Sequence, residues 1–277
     1  MRNEMIFPTK KAEERAAQVL DASCLAPFLS SEVKVYWKER TGSTNTDAKE
    51  IALRGEKGPA VCTTEIQEAG RGRLGRSWAT GQGEAVELSV LLRPNASART
   101  GMGLGLAASL AVCSVLERIP GLEPKVKWPN DILVNGRKIC GILVESTIEQ
   151  ERLTAVVIGV GVNLNQKVFP PGLEQIATSV ARETARRVDR AEFAATLVDA
   201  LIWYAHKYFE DGPEAIRAEY KRRSAVFGRT VNVLTTEGVL SGVCVGFGPL
   251  GELLVSIGGD VQTFTASDVS VREASNV

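Results

Sequence analysis

Apolar positions along this chain switch repeatedly between a period of two and a period of about 3.6, the signature of strands interleaved with helices. Residues 9–22 set Ala12, Ala16, Val19 and Leu20 on one face behind a capping Thr9, predicting a short amphipathic helix. From Val33 the period drops. Residues 33–37 read as a strand, Ser43-Thr44-Asn45 opens a helix to about Gly55, and residues 60–66 return to strand. A glycine-rich loop follows, then a strand over 85–92, an apolar helix over 100–118 and a short strand ending at Trp128. Asn135-Gly136, the strongest two-residue turn signal, predicts a hairpin. A strand from Leu153 to Asn163 is followed by a mostly helical stretch over 174–222.

Strands outnumber crossover helices, so the pattern predicts an α+β fold on a mixed sheet with flanking helices, not a doubly wound one. Near Ala225 the character changes again, to short strands separated by Glu237-Gly238, Gly248-Pro249-Leu250-Gly251 and Gly258-Gly259. That spacing predicts a small antiparallel barrel. Three units are expected: an N-terminal helical extension (1–32), a main domain (33–224) and the C-terminal barrel (225–277). There is no internal repeat.

Composition narrows the chemistry. With 277 residues, 44% hydrophobic and 24% charged, the chain can bury a full core plus a small appended domain. Lys+Arg and Asp+Glu both number 33, so no global field recruits nucleic acid or an anionic membrane. Five scattered cysteines without C-x-x-C spacing argue against a disulfide framework and a zinc site, and a reducing cytoplasm fits them. No apolar run approaches a membrane span or a signal-peptide core. The one histidine, His206, falls in a helical pattern, so mechanisms needing paired histidines are excluded.

Two segments carry chemistry. Gly70-Arg71-Gly72-Arg73-Leu74-Gly75-Arg76-Ser77-Trp78 combines glycines that permit φ > 0 or close backbone approach with three permanent cationic forks and an aromatic face. Such a loop can wrap an anion. Lys127-Trp128-Pro129-Asn130-Asp131 then precedes the hairpin that carries Lys138. Period-two alternation puts Lys138 on the face of Cys140, Ile142 and Val144, although the local sequence alone favours a lysine snorkelling into water. Asn130-Asp131 is either an Asx turn or a turn aiming two polar groups at one point. Ser43-Thr44-Asn45 is explained by capping alone. Gly159-Val160-Gly161 and Gly101-x-Gly103-x-Gly105 both fail as dinucleotide fingerprints.

Taken in this order and spacing, the glycine loop, the Lys127–Asp131 segment and Arg137-Lys138-Ile139-Cys140-Gly141-Ile142-Leu143-Val144-Glu145 resemble biotin protein ligases, from about Val33 to Arg272. The resemblance implies a class II aminoacyl-tRNA synthetase-like catalytic domain with a C-terminal SH3-like β-barrel. It implies ATP-dependent activation of biotin as biotinyl-5′-AMP, with Mg²⁺ on the phosphates, and transfer to a lysine of a biotin carboxyl carrier domain. By matching position, Lys138, Arg73 and Asp131 take the chemical roles. Lys138 neutralises the biotin carboxylate and α-phosphate, and Asn130 and Asp131 contact the adenylate and orient the incoming amine. Ser43, Thr44, Asn45 and Gln67 meet biotin; Gly70, Arg71, Gly72, Arg73 and Arg76 form the loop that closes over it; Trp78 packs on adenine. Gly141, Ile142 and Leu143 line the strand beside the ligand, and Gly161 and Asn163 border the adenylate. No protein-held metal is expected. The competing readings are lipoate or octanoate ligation and a biotin-responsive repressor. The second is disfavoured because about thirty residues before Val33 are too few for an independent DNA-binding domain. A homodimer is compatible with the resemblance.

Overall fold

A strand buried along its whole length needs cover on both faces, and Ala85–Leu92 is such a strand. The computed structural model describes residues 19–30, 32–78, 80–81, 83–266 and 270–273. Its elements begin with α1 (Ala22–Leu25), β1 (Lys34–Thr41), α2 (Thr44–Leu53), β2 (Ala60–Gln67), β3 (Gly70–Arg71), β4 (Ser77–Trp78) and β5 (Ala85–Leu92). Next come α3 (Leu104–Leu116), β6 (Lys125–Lys127), β7 (Asp131–Val134), β8 (Arg137–Glu149) and β9 (Arg152–Asn163). The chain continues through α4 (Val180–Thr184), α5 (Arg190–Asp211) and α6 (Glu214–Arg223). It ends with β10 (Thr230–Thr235), β11 (Gly238–Phe247), β12 (Leu253–Ile257), β13 (Asp260–Phe264) and β14 (Ser270–Glu273).

Seven strands form one sheet in the order β1-β2-β5-β9-β8-β7-β6. β1 and β2 are parallel, joined through α2, and every other neighbouring pair is antiparallel, so the sheet is mixed as expected. The β7–β8 hairpin turns on Asn135 (φ 50°) and Gly136 (φ 75°), the left-handed pair that Asn-Gly supplies at least cost. On one face lies the main core. There α3 buries every residue but Gly105 and Ser114 and packs against α5. On the other face α2 covers a smaller cluster of Ala48, Ile51, Ala60, Cys62, Leu91, Ala155 and Val157. This leaves the sheet surface beyond the N-terminus of α2 uncovered by helix, and the cleft described below lies there.

Two expectations change and one is refined. Most of the predicted N-terminal helix lies outside the described residues; Val19 and Leu20 are not helical, and a helix starts only at Ala22, where the Asp21 carboxylate accepts from Cys24 N–H at 2.9 Å. The stretch 174–222 is mostly helical, as expected, but in three pieces, α4, α5 and α6. Ala185 turns left-handed at φ 57°, Asp189 recaps the chain for α5, and Gly212-Pro213 separates α5 from α6. Before α4 the chain instead bonds β8, with Lys138 N–H donating to Ile176 O at 2.8 Å and Thr178 N–H to Lys138 O at 2.9 Å. The C-terminal strands form a five-stranded antiparallel sheet, order β13-β12-β11-β10-β14; among the described residues β13 and β14 do not pair, so the ladder is open where a barrel would close. The two sheets meet where the buried indole of Trp128 donates to Gly251 O at 2.9 Å.

Candidate active site

A cleft opens on the uncovered sheet face, between the N-terminus of α2, the glycine loop, the turn before β7 and the glycine-bearing stretches of β8 and β9. Every residue singled out for the site lines it except Gly70 and Asn163. Asn163 is buried, with Nδ2 donating to Thr178 O at 3.0 Å and Oδ1 accepting from Gln166 at 3.1 Å. Its position points to holding the chain after β9, not to touching a ligand. Gly70 is required for close approach, since a Cβ there would stand 2.7 Å from Gln67 Nε2.

The loop closes as a miniature hairpin: β3 pairs with β4, and Gly72 N–H donates to Arg76 O at 2.6 Å. Its left-handed residues are Leu74 (φ 54°) and Gly75 (φ 71°), whereas Gly70 and Gly72 keep ordinary φ. A leucine in that region costs about 1–2 kcal/mol, so the loop tip holds local strain. Arg71 reaches back over α2 and β8, 3.2 Å from Glu145 and 3.3 Å from Thr46 Oγ1. Glu145 also takes Lys49 at 2.8 Å and Asn45 Nδ2 at 2.8 Å. Burial pushes its pKa up, but these hydrogen bonds and the charges of Lys49 and Arg71 prevail and leave it lowered. Arg73 turns inward and meets Asn130 Oδ1 at 3.4 Å and the carbonyl of Ala266 in the C-terminal sheet. Burial lowers the Arg73 pKa, Arg76 adds to this and Asp131 opposes it; the guanidinium stays charged.

Lys138 does not share a face with Cys140 and Ile142. The ladder slips between Ile132 and Leu133, with Ile132 opposite Cys140 but Leu133 opposite Lys138. The extra residue, Ile139, is fully buried, and the bulge sends Lys138 to the side of Gly141. Strict alternation was therefore the wrong rule for this strand. The ammonium lies 2.6 Å from Asp131 Oδ1 and 5.4 Å from the ring centre of Trp78. A Cβ on Gly141 would stand 3.1 Å from Trp78 Cζ3 and 3.3 Å from Lys138 Nζ, so the glycine makes room for the loop's own tryptophan and the lysine. Asn130 is fixed by donating to Ile142 O at 2.8 Å.

At the other end of the cleft, Gln67 Oε1 accepts from Thr44 N–H at 2.9 Å and from Thr44 Oγ1 at 3.3 Å. The Ser89 hydroxyl sits 2.8 Å from Thr44 Oγ1 and 2.6 Å from Asn45 Oδ1. Ser43, at the helix start, makes no side-chain cap bond, so its hydroxyl is not committed to capping. A cationic loop with an aromatic face, a lysine–carboxylate pair and a polar pocket at a helix N-terminus can together hold two anions and one polar ring. Among the described residues no three histidine, cysteine or acidic side chains converge on a metal position.

A sequence model described as the Biotin/lipoate A/B protein ligase family matches residues 37–163, the stretch carrying both motifs. The biotin--[acetyl-CoA-carboxylase] ligase of Paracoccus denitrificans is 33% identical over 235 residues, covering 83% of this chain and 97% of that protein. The chain belongs to the biotin protein ligase family. Another member, the bifunctional ligase/repressor BirA of Bacillus subtilis, is 31% identical over 231 residues, covering 83% of this chain and 71% of that protein. The biotin protein ligase of Aquifex aeolicus, solved in complex with biotin and ATP, superposes with a TM-score of 0.71 at 25% identity, covering 87% of this chain and 99% of that one.

Sequence reasoning passed over Glu87, Ser89 and Glu145. A signal for the first two was present: they are the only polar residues in 85–92 and stand two apart, hence on one face of a strand otherwise built from apolar side chains.

Proposed function

We propose that this chain is an ATP-dependent biotin protein ligase of the cytoplasm. The biotin carboxylate attacks the α-phosphorus of ATP, pyrophosphate leaves, and biotinyl-5′-AMP stays in the cleft. The amine of a lysine on a biotin carboxyl carrier domain of acetyl-CoA carboxylase then attacks the acyl carbon and expels AMP. The observation that carries this reading is the convergence of the Lys138–Asp131 pair, 2.6 Å apart, with Arg73 and Trp78 of the loop over one cleft.

Each residue has a task its geometry allows. Lys138 and Arg73 offset the charge of the two anions that must meet in the first step, and Asp131 and Asn130 receive the incoming amine. The polar end formed by Ser43, Thr44, Asn45 and Gln67 takes the ureido ring. Trp78 over Gly141 and Gly161 provides the adenine face, and Arg71 and Arg76 hold the loop shut so that water does not consume the anhydride. Mg²⁺ arrives on the phosphates of ATP, in keeping with a site whose one carboxylate beside the lysine is already paired. In this reading residues 33–224 form the catalytic domain and 225–277 an SH3-like unit, seen as an open five-stranded sheet, that abuts the loop through Ala266, with 1–32 as an extension. The chain works without binding DNA, and a homodimer is compatible with it.

Isotope exchange between pyrophosphate and ATP tests the first step. Biotin-dependent exchange is expected. Exchange that responds to lipoate and ignores biotin would replace this reading by lipoate ligation, and specific ligand-dependent retention of DNA in a gel shift would add the repressor role.

A further inference from the structure

Beneath the polar end of the cleft lies a carboxyl group that the functional reading does not use. Glu87 is 5% exposed on the inner strand β5, directly opposite Gly161 of β9. Gln67 Nε2 donates to its Oε1 at 2.9 Å. Burial raises its pKa to about 7, against hydrogen bonds from Thr80 and Gln67 that favour the ionised form. Few acids are placed this way without consequence: a carboxyl at that depth forfeits hydration unless its partners use it.

A glutamine amide has two nearly isosteric orientations, and the one adopted at Gln67 follows from its partners. A backbone N–H can only donate, so the atom 2.9 Å from Thr44 N is the oxygen. An ionised carboxylate can only accept, so the opposite atom is the nitrogen. Thr44 and Glu87 thus hold the amide from both ends and leave one N–H of Gln67 to offer to a ligand in the cleft.

We infer that Glu87 is a positioning residue for the vitamin's ureido ring: it orients the Gln67 amide, and its protonation relaxes that orientation. The inference rests on the ligase reading above. Once protonated, Glu87 can donate as well as accept, so the flipped amide is no longer opposed at this end and only Thr44 N–H keeps the bias. Among the described residues no other charged group shifts Glu87; burial and hydrogen bonds alone set its charge state. β9 faces it with Gly161 and the loop with Trp78 and Thr80. β2 brings Gln67, while Glu65 of the same strand is paired with Arg190 at 3.0 Å. A site built to hydrogen-bond a polar ring discriminates against rings that lack the partner groups, so the same pair favours a urea over an apolar ring.

The test is the dissociation constant of biotin, measured calorimetrically without ATP between pH 5.5 and 8.5, for the wild type and for Glu87→Gln. The carboxyl of biotin stays ionised throughout, as an ordinary carboxylate does. In the wild type, affinity is expected to fall roughly five-fold on acidification, the worth of one modest hydrogen bond. Glu87→Gln is neutral at every pH and its profile is expected to be flat. Parallel profiles for the two proteins, or a flat wild-type profile, would overturn the role of Glu87 while leaving the ligase reading standing. No binding by folded wild type at any pH would overturn both. Should the variant not fold, the wild type alone decides. Its KM for biotin must rise below neutrality while its KM for ATP does not, and parallel changes in both refute the inference.

Discussion

Gly161→Ala tests whether the loop closes only when Trp78 can seat on the sheet. Gly161 faces Gly141 across the β8–β9 ladder, and a methyl built on it would stand 2.5 Å from Trp78 Nε1 and 2.9 Å from Cζ2. Comfortable contact between such atoms is about 3.5–4.0 Å, so the overlap approaches 1 Å. The strand cannot retreat, because β9 is paired on both sides, by β5 and β8. The indole must move instead, and with it β4 and the loop. Overpacking of this kind costs about 1–3 kcal/mol. Charged to loop closure, that shifts the closed-to-open ratio by roughly 5- to 150-fold. Trp78 belongs to neither hydrophobic core, so the melting temperature should hardly change. Two readouts follow the loop itself: the release rate of biotinyl-5′-AMP formed from biotin and ATP, and the rate of tryptic cleavage at Arg71, Arg73 and Arg76. Both are expected to increase. A variant that retains the intermediate like the wild type, with unchanged trypsin sensitivity, would refute the seating of Trp78 as the condition for closure.

Other substitutions separate the parts of the site from the frame. Lys138→Met should keep the fold, since the lysine is on the cleft surface, and lower biotin-dependent pyrophosphate exchange by at least about 100-fold, the scale on which preorganised charge stabilisation acts. Glu145→Gln withdraws the charge that Arg71 grips at 3.2 Å, and is expected to speed escape of the intermediate several-fold without slowing its formation; bystander-protein labelling would report it. Glu65→Gln removes the carboxylate charge from the buried pair with Arg190, whose side chain is 2% exposed, and should destabilise the protein by about 3–5 kcal/mol in urea unfolding while leaving the KM for ATP of the folded fraction unchanged.

The architecture was largely legible because its signals are local. Asn135-Gly136 marks its hairpin by backbone preference alone, and α3 announces itself by an apolar run too long for a strand. The site was legible for a different reason: glycines alternating with arginines before a tryptophan, followed by Lys127–Asp131, are residues chosen against packing interests. What stayed hidden depends on partners distant in sequence. The bulge at Ile139 is set by how β7 pairs with β8, and nothing in residues 137–144 alone announces that the alternation slips there. The open C-terminal sheet is likewise a matter of whether β13 meets β14, which turn residues do not determine.

Glycine placement shows how the two kinds of information combine. A glycine within a strand leaves room for a ligand or a bulge, because a missing side chain leaves space without naming its occupant. In the fold each gap is filled from within the protein: Trp78 and Lys138 lie over Gly141, Asn45 over Gly159 and Trp78 over Gly161. The loop, Lys138 and the N-terminus of α2 therefore reach the sheet through positions where it carries no side chain. A ligand entering the cleft meets side chains already docked against backbone, with Asn45 also held by Ser89 at 2.6 Å and Gln67 by Glu87 at 2.9 Å. Two polar residues on a buried strand thus act through the groups above them. Their cost of burial is offset because they fix those groups before substrate arrives, which lowers the entropy lost on binding.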